Sequence, residues 1–433
     1  MLARMAKRKF WMNGVNVVLR FLLVMIACSA AGAADNPFAP DQVDPTRAGM
    51  SVERLARIHE RMKEFVDAGK TAGVVTLIAR HGLVASLDAV GYQDLERKTP
   101  MTADTIFRIM SITKPVTCAG IMVLVDEGRL SLLDPVEKFM PAFKDLRVNP
   151  CWNGVGHDCE LVAAKRPVTV FDLMTHTSGL AEAGGGGGRG GAGAGVAQPK
   201  TRAEQVAARG AQMTLLFQPG SAWYYSNFGI SVLGAIIEVA SGQPYDRFLK
   251  ERIFDPLEMK DTFFEIPPEK AGRVATVYTY QDGTLRLLSL PASASPGGSL
   301  PSPDSGLLST ARDLARFNQM MLNKGALNGK RVLSAAAVAA MTTSQTGEMA
   351  AGYAPGVGQG FGYEVVRQPL GMYRYTSIGS FEKTGFYRTY VWVDPAKDLV
   401  GVILMQRNNG GAAADLADEV NVFMAMAAAA IEN

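Results

Sequence analysis

Ser111-Ile-Thr-Lys114-Pro-Val-Thr-Cys-Ala-Gly-Ile-Met-Val-Leu-Val-Asp-Glu-Gly128 is an apolar stretch with a serine and a lysine at its mouth. Residues 115–127 read as a buried helix ending at Gly128. Pro115 is tolerated in a first helical turn and not in a helix interior, so the helix starts near Ser111. Positions i and i+3 share a helix face, which puts the Lys114 ammonium beside the Ser111 hydroxyl. A first-turn backbone N–H has no partner within its helix, so the Ser111 N–H is free to bind a developing oxyanion.

Upstream of this stretch, a helix is predicted from Ser51 to Gly69, with Leu55, Ile58, Met62 and Phe65 on one face. Strands follow at Val74–Ala79 and Leu83–Val90, joined by a turn at His81-Gly82. Downstream, helical patterns recur at 169–175, 203–213, 228–241 and 244–253. Further strands are expected at Arg273–Gln281, Leu285–Leu288, Phe361–Arg367, Tyr387–Val393 and Val400–Gln406. A Pro/Ser/Gly-rich loop covers 291–306, a helix Ala311–Asn323, and a last helix roughly 412–431. Strands at both ends of a helical middle give an α/β (α+β) class: an antiparallel sheet flanked by helices, with an inserted, mostly helical lobe. Residues 35–110 and 270–433 belong to the sheet region and 111–269 to the lobe. The tract at 184–195, almost all glycine and alanine, is expected to be a flexible surface insertion rather than a phosphate loop, because no Gly-Lys-Ser/Thr ends it.

The first 34 residues have the layout of a cleavable export signal. Arg4, Lys7, Arg8, Lys9 and Arg20 come with no acid; an apolar run, Phe21–Ala27, and small residues up to Ala34 follow. Cleavage is expected after Ala33 or Ala34, with an uncleaved anchor or lipidation at Cys28 as alternatives. The apolar run is too short to span a bilayer comfortably. Cleavage removes five of the 44 cations and none of the 41 acids, so the net charge falls from +3 to −2. No basic stripe remains to recruit nucleic acid. The chain is therefore expected to be periplasmic or secreted, with no stable membrane span after cleavage. In such a compartment Cys151 and Cys159 could close the polar loop between them as a disulfide, while Cys118 reads as a buried core residue.

Two further patterns bear on chemistry. Tyr225-Ser-Asn227 follows Gln218-Pro-Gly220 and precedes the 228–241 helix, on a turn from which side chains reach a cleft. Lys383-Thr-Gly385 comes before a strong strand, whose edge would supply a second oxyanion donor at the Phe386 N–H. Ser380-Phe-Glu-Lys383 repeats the Ser-x-x-Lys spacing, so spacing alone does not choose the nucleophile. A serine needs a base. The usual Gly-x-Ser-x-Gly elbow with its histidine is absent, and His59, His81, His157 and His176 have no metal-ligand spacing. A phenol near two ammonium groups can be depressed from its usual pKa of about 10 and act as the base.

With these motifs in this order, the chain resembles the serine β-lactamase and penicillin-binding-protein superfamily, on the branch of class C β-lactamases and family VIII carboxylesterases. Thr105-Ile-Phe-Arg-Ile, Asp172-Leu-Met-Thr-His-Thr-Ser-Gly179, Gln218-Pro-Gly220, Gly306-Leu-Leu-Ser-Thr310 and Val391-Trp-Val-Asp-Pro395 extend the likeness across residues 51–410. The resemblance implies a β-lactamase/transpeptidase-like fold with the cleft between sheet and lobe. It implies Ser111 as nucleophile, Lys114 and Tyr225 as proton handlers, and Asn227, Lys383, Thr384 and Gly385 as substrate or network contacts. The oxyanion donors would be the backbone N–H groups of Ser111 and Phe386. Asp172 and His176 are expected to be structural. No metal or organic cofactor is implied, and the oligomeric state is left open.

Two departures pull in opposite directions. Phe386, Tyr387 and Arg388 are bulky where lactamases usually carry small residues, whereas Lys383 is kept where many family VIII esterases replace it. The leading expectation is a serine hydrolase working through an acyl-enzyme on small acyl esters, a carboxylesterase. The alternatives are a class C-type β-lactamase, a D-amino-acid peptidase, or a non-catalytic relative that binds peptidoglycan or a partner.

Overall fold

The computed structural model describes residues 38–152, 159–181, 201–210, 213–288, 300–408 and 418–432. The segment expected to be an export signal, Cys28, the 184–195 tract and much of the 291–306 loop lie outside them. Helix α1, Val52–Asp67, starts under a Ser51 cap whose hydroxyl accepts from the Arg54 N–H, and buries Leu55, Ile58, Met62 and Phe65. This is the face expected from the sequence, because apolar residues three and four apart make one stripe.

Eight strands form the main sheet: β1 Gly73–Arg80, β2 Leu83–Asp94, β3 Thr99–Pro100, β4 Val357–Gln359, β5 Glu364–Val366, β6 Phe381–Gly385, β7 Thr389–Asp394 and β8 Leu399–Leu404. Their spatial order is β4-β5-β6-β7-β8-β1-β2-β3, and every neighbouring pair is antiparallel. The register sets Val75 opposite Leu404 and Lys383 opposite Val391. All eight residues of β1 are buried, which is why it reads as a continuous apolar run. Val75, Leu77 and Ala79 face one core and Val74 and Ile78 the other.

Helix α2, Thr113–Asp126, is buried from Thr113 to Leu124 and runs through the larger core. Helix α3, Asn227–Ser241, begins under a Ser226 cap and ends at Gly242 in the left-handed region. Gly120 lets α2 approach its neighbours: a Cβ there would meet Leu249 and Ile237 at 2.8 and 3.0 Å. Helix α4, Ala311–Leu322, covers the same sheet face. On the opposite face α1 packs with α5, Asp418–Ala429, through Phe65, Phe423 and Met424. Helix, sheet and helix thus form three layers. No described helix is long and apolar enough to cross a membrane.

The structure departs from expectation in three places. Lys383-Thr-Gly385 does not merely precede a strand; it is the end of β6. Only Tyr278–Gln281 of the 273–281 segment is a strand; Arg273 ends a 3-10 turn begun at Pro268, and Val274 makes an isolated bridge to Ile106. Ser111 lies in a separate 3-10 turn, Met110–Ile112, before α2 proper. Cys151 and Cys159 are paired as a disulfide, with Cα atoms 6.1 Å apart. Cys118 is free and buried, and burial pushes its thiol up to about 12.

Candidate active site

Ser111 follows Met110, whose φ of 50° is a left-handed conformation that non-glycine residues adopt only under constraint. The turn leaves Ser111 half-buried at the mouth of α2. Lys114 is fully buried, and its Nζ donates to Ser111 Oγ at 2.9 Å and to the Asp304 carbonyl at 2.8 Å. The second Ser-x-x-Lys pair is arranged otherwise. Ser380 is buried and accepts the Ser377 N–H, while Lys383 turns to Glu364. Residues three apart on a strand point to opposite sides, so the spacing that unites a pair on a helix separates one here.

The Tyr225 phenol donates to Ser111 Oγ at 2.9 Å. Lys114 and Lys383 lie 4.7 and 5.0 Å from the centre of its ring. Burial alone would push the phenol up; the two ammonium groups and its hydrogen bonding with Lys114 and Ser111 outweigh it, and its pKa is lowered. The tyrosine is held from behind by His176, whose ring lies 4.7 Å from its own and whose Nδ1 accepts the Ser226 N–H at 3.2 Å. Burial, then the charges of Lys383 and Lys114, keep His176 well below its ordinary pKa and therefore neutral. With Nδ1 accepting, the proton sits on Nε2. Asp172 caps its own short helix with Thr169 and pairs with Arg166 at 2.6 Å, a structural task.

Lys383, 1% exposed, pairs with Glu364 at 3.5 Å. Burial disfavours its charge, but Tyr225, Glu364 and Glu382 more than compensate, and its pKa is raised. Gly385 packs against the backbone just before Ser111: a Cβ there would run into the Ile109 carbonyl oxygen and the Thr389 hydroxyl. Thr389 Oγ1 donates to that same carbonyl at 3.0 Å. Thr384 is half-buried and Phe386 is 59% exposed. Asn227 is the first residue of α3, two positions beyond Tyr225. The structure thus gathers Ser111, Lys114 and Tyr225 by direct hydrogen bonds, with Lys383 over the tyrosine ring.

Several members of the site carry no signature in the sequence. Tyr353, 61% exposed, lies 5.4 Å from the Tyr225 ring and 5.7 Å edge-on to Trp223. Asp304 contributes through its backbone. Glu364 and Glu382, opposed across β5 and β6, are buried beside Lys383. Only the pairing of distant strands reveals them.

This architecture matches known proteins. The sequence model of a family described as Beta-lactamase matches residues 58–423. An uncharacterized protein of Mycobacterium tuberculosis is 33% identical over 80% of this chain and 88% of its own. Esterase EstB of Burkholderia gladioli is 28% identical over 84% of this chain and 93% of its own. Among solved structures, EstCE1, titled a hydrolase with promiscuous acyltransferase activity, superposes with a TM-score of 0.70 at 24% identity, covering 88% of this chain and 99% of its own. At that identity the superposition speaks for the fold.

Proposed function

Since the chain belongs to the β-lactamase family, we propose that it is an exported serine hydrolase that cleaves small acyl esters through an acyl-enzyme on Ser111. One observation carries the proposal: Ser111 Oγ is held at 2.9 Å by both Lys114 Nζ and Tyr225 Oη. In the reaction Ser111 Oγ attacks the ester carbonyl, and its proton passes to Tyr225 in its phenolate form or to Lys114 in its neutral amine form. The carbonyl oxygen, now negative, is received by the backbone N–H groups of Ser111 and Phe386. Collapse expels the alcohol, which takes up the proton. Water then attacks the acyl group and the same residues run in reverse, freeing the acid and restoring Ser111. Similarity to esterase EstB and the exposed Phe386 at the mouth of the site favour esters. Asn227 and Thr384 would line the substrate, and residues 111–269 would form one wall of the cleft.

The second reading is a D-amino-acid peptidase or β-lactamase. A putative D-alanyl-D-alanine carboxypeptidase of Escherichia coli (strain K12) is 25% identical over 90% of this chain. A paired assay of p-nitrophenyl butyrate and a chromogenic cephalosporin, beside Ser111→Ala, separates the two. Ester turnover that disappears in the variant supports the proposal, and faster cephalosporin opening reverses the order. Failure to label with either a fluorophosphonate or a fluorescent penicillin would leave a binding role.

A further inference from the structure

We propose that Glu364 is a specificity-determining residue: by holding Lys383 in an internal ion pair, it turns the site away from substrates that carry a carboxylate near the scissile bond. This rests on the ester reading above and names the subset of esters the site takes.

An exposed ammonium at the end of β6 would be a ready receptor for a substrate carboxylate. Lys383 is not so placed. Its side chain is 1% exposed and Glu364's is 3% exposed, with 3.5 Å between Nζ and Oε1. Drawing Lys383 toward a ligand would leave Glu364 charged and alone in the protein interior, which is strongly unfavourable. A second acid makes the neighbourhood still less hospitable to an anion. Glu382 is the cross-strand partner of Glu364, is 4% exposed, and takes a hydrogen bond from the Tyr373 hydroxyl at 2.9 Å. An incoming carboxylate would be the third acid around one ammonium. Burial and the charge of Glu364 push Glu382 up to about 8, so near neutral pH it already declines a charge of its own.

Two other cations nearby, Lys114 and Arg388, are committed elsewhere. Lys114 is fully buried and donates to Ser111 and Asp304. Arg388 is 5% exposed and pairs with Glu419 at 3.1 Å, and Glu419 also holds Arg407 at 3.2 Å. Beside the nucleophile the structure exposes aromatic surface instead, Phe386 and Tyr353. Such surface takes uncharged groups by burial and gives a carboxylate nothing in exchange for its water. The charge of Lys383 is directed instead at the Tyr225 ring, 5.0 Å away.

The test uses two butyrate esters that differ in one group of the leaving alcohol, 3-carbamoylphenyl butyrate and 3-carboxyphenyl butyrate, assayed at low salt. The native protein is expected to favour the carbamoyl ester at least tenfold in kcat/KM. Glu364→Gln, which frees the Lys383 charge, should move that ratio toward one; Glu364→Asp, which keeps the charge, should retain it. Parity or preference for the carboxylate ester in the native protein overturns the inference, as does a folded Glu364→Gln protein with an unaltered ratio. Should Glu364→Gln not fold, the native ratio and Glu364→Asp decide. Hydrolysis of neither ester by protein that still labels at Ser111 removes the ester reading itself, an outcome distinct from loss of selectivity alone.

Discussion

Ser111 Oγ is hydrogen-bonded to two groups, either of which can receive its proton once it has given up its own, and that redundancy can be dissected. Ser111→Ala is expected to abolish ester hydrolysis and acylation by fluorophosphonate while circular dichroism stays unchanged. Removing a proton-transfer group costs about 10²–10⁴ in rate, so Lys114→Ala and Tyr225→Phe should each lower kcat within that span. Their pH profiles should differ. Lys114 and Lys383 hold the Tyr225 phenol below its ordinary pKa against the opposing effect of burial. If the phenolate is the base, kcat/KM climbs with pH until that phenol has ionised, and the climb disappears in Tyr225→Phe. A climb that persists assigns the proton to Lys114. Ser111 and Lys114 were legible in the sequence because a helical turn converts a spacing of three into contact. Trp223, Tyr353 and Glu364 were not, since nothing local in a chain announces which distant ring or carboxylate will be folded against it.

Strand β6 concentrates the chemistry of the sheet in five residues, Phe381–Gly385, and two of them report on its packing. A Cβ at Gly385 would meet the Ile109 carbonyl and the Thr389 hydroxyl. Gly385→Ala should therefore force β6 away from the Ser111 turn, costing about 1–3 kcal/mol of stability and a larger share of activity, read by thermal melting beside ester assay. Glu382 carries a pH signature. Its pKa is raised to about 8 from an ordinary 4.5, first by burial and then by Glu364. Between these values the unfolded chain has lost the proton that the folded one keeps, so stability falls as pH rises from about 4.5 to 8 and levels above. Glu382→Gln should lose less Tm between pH 5 and pH 8 than the native protein. Asp313, pushed up to about 6 mainly by burial, acts in the same direction but is common to both proteins. The same two charges explain why β6 was hard to see. Glu382 and Lys383 interrupt the kind of continuous apolar run that made β1 and β8 evident, and the segment is placed only before a strand until its neighbours are known. The short edge strand β4, Val-Gly-Gln, was hidden because it is three residues long and only Val357 in it favours a strand.

At the scale of the molecule, the disulfide and the buried thiol allow a direct count. With the leader and its Cys28 removed as proposed, the protein should show no reactive thiol when native and one, Cys118, when unfolded without reductant. Two more should follow on reduction, from Cys151 and Cys159. Reduction should lower stability by about 2–3 kcal/mol, as a short closed loop allows. The broad layout was readable because strand patterns at both ends and helical patterns between them are properties of composition. The strand order was not, because pairing between β1 and β8 joins segments with most of the chain between them. That pairing has a temporal meaning. Strand β1 is complete at Arg80, yet one of its two flanking partners does not begin until Leu399. During synthesis the centre of the sheet must wait, one edge open, for nearly the whole polypeptide to emerge. A ribosome-tethered chain that stops short of Leu399 should be cut throughout by protease at concentrations the finished protein resists. The delay that exposes a nascent chain to aggregation also keeps it threadable, which is the state that the proposed export would require.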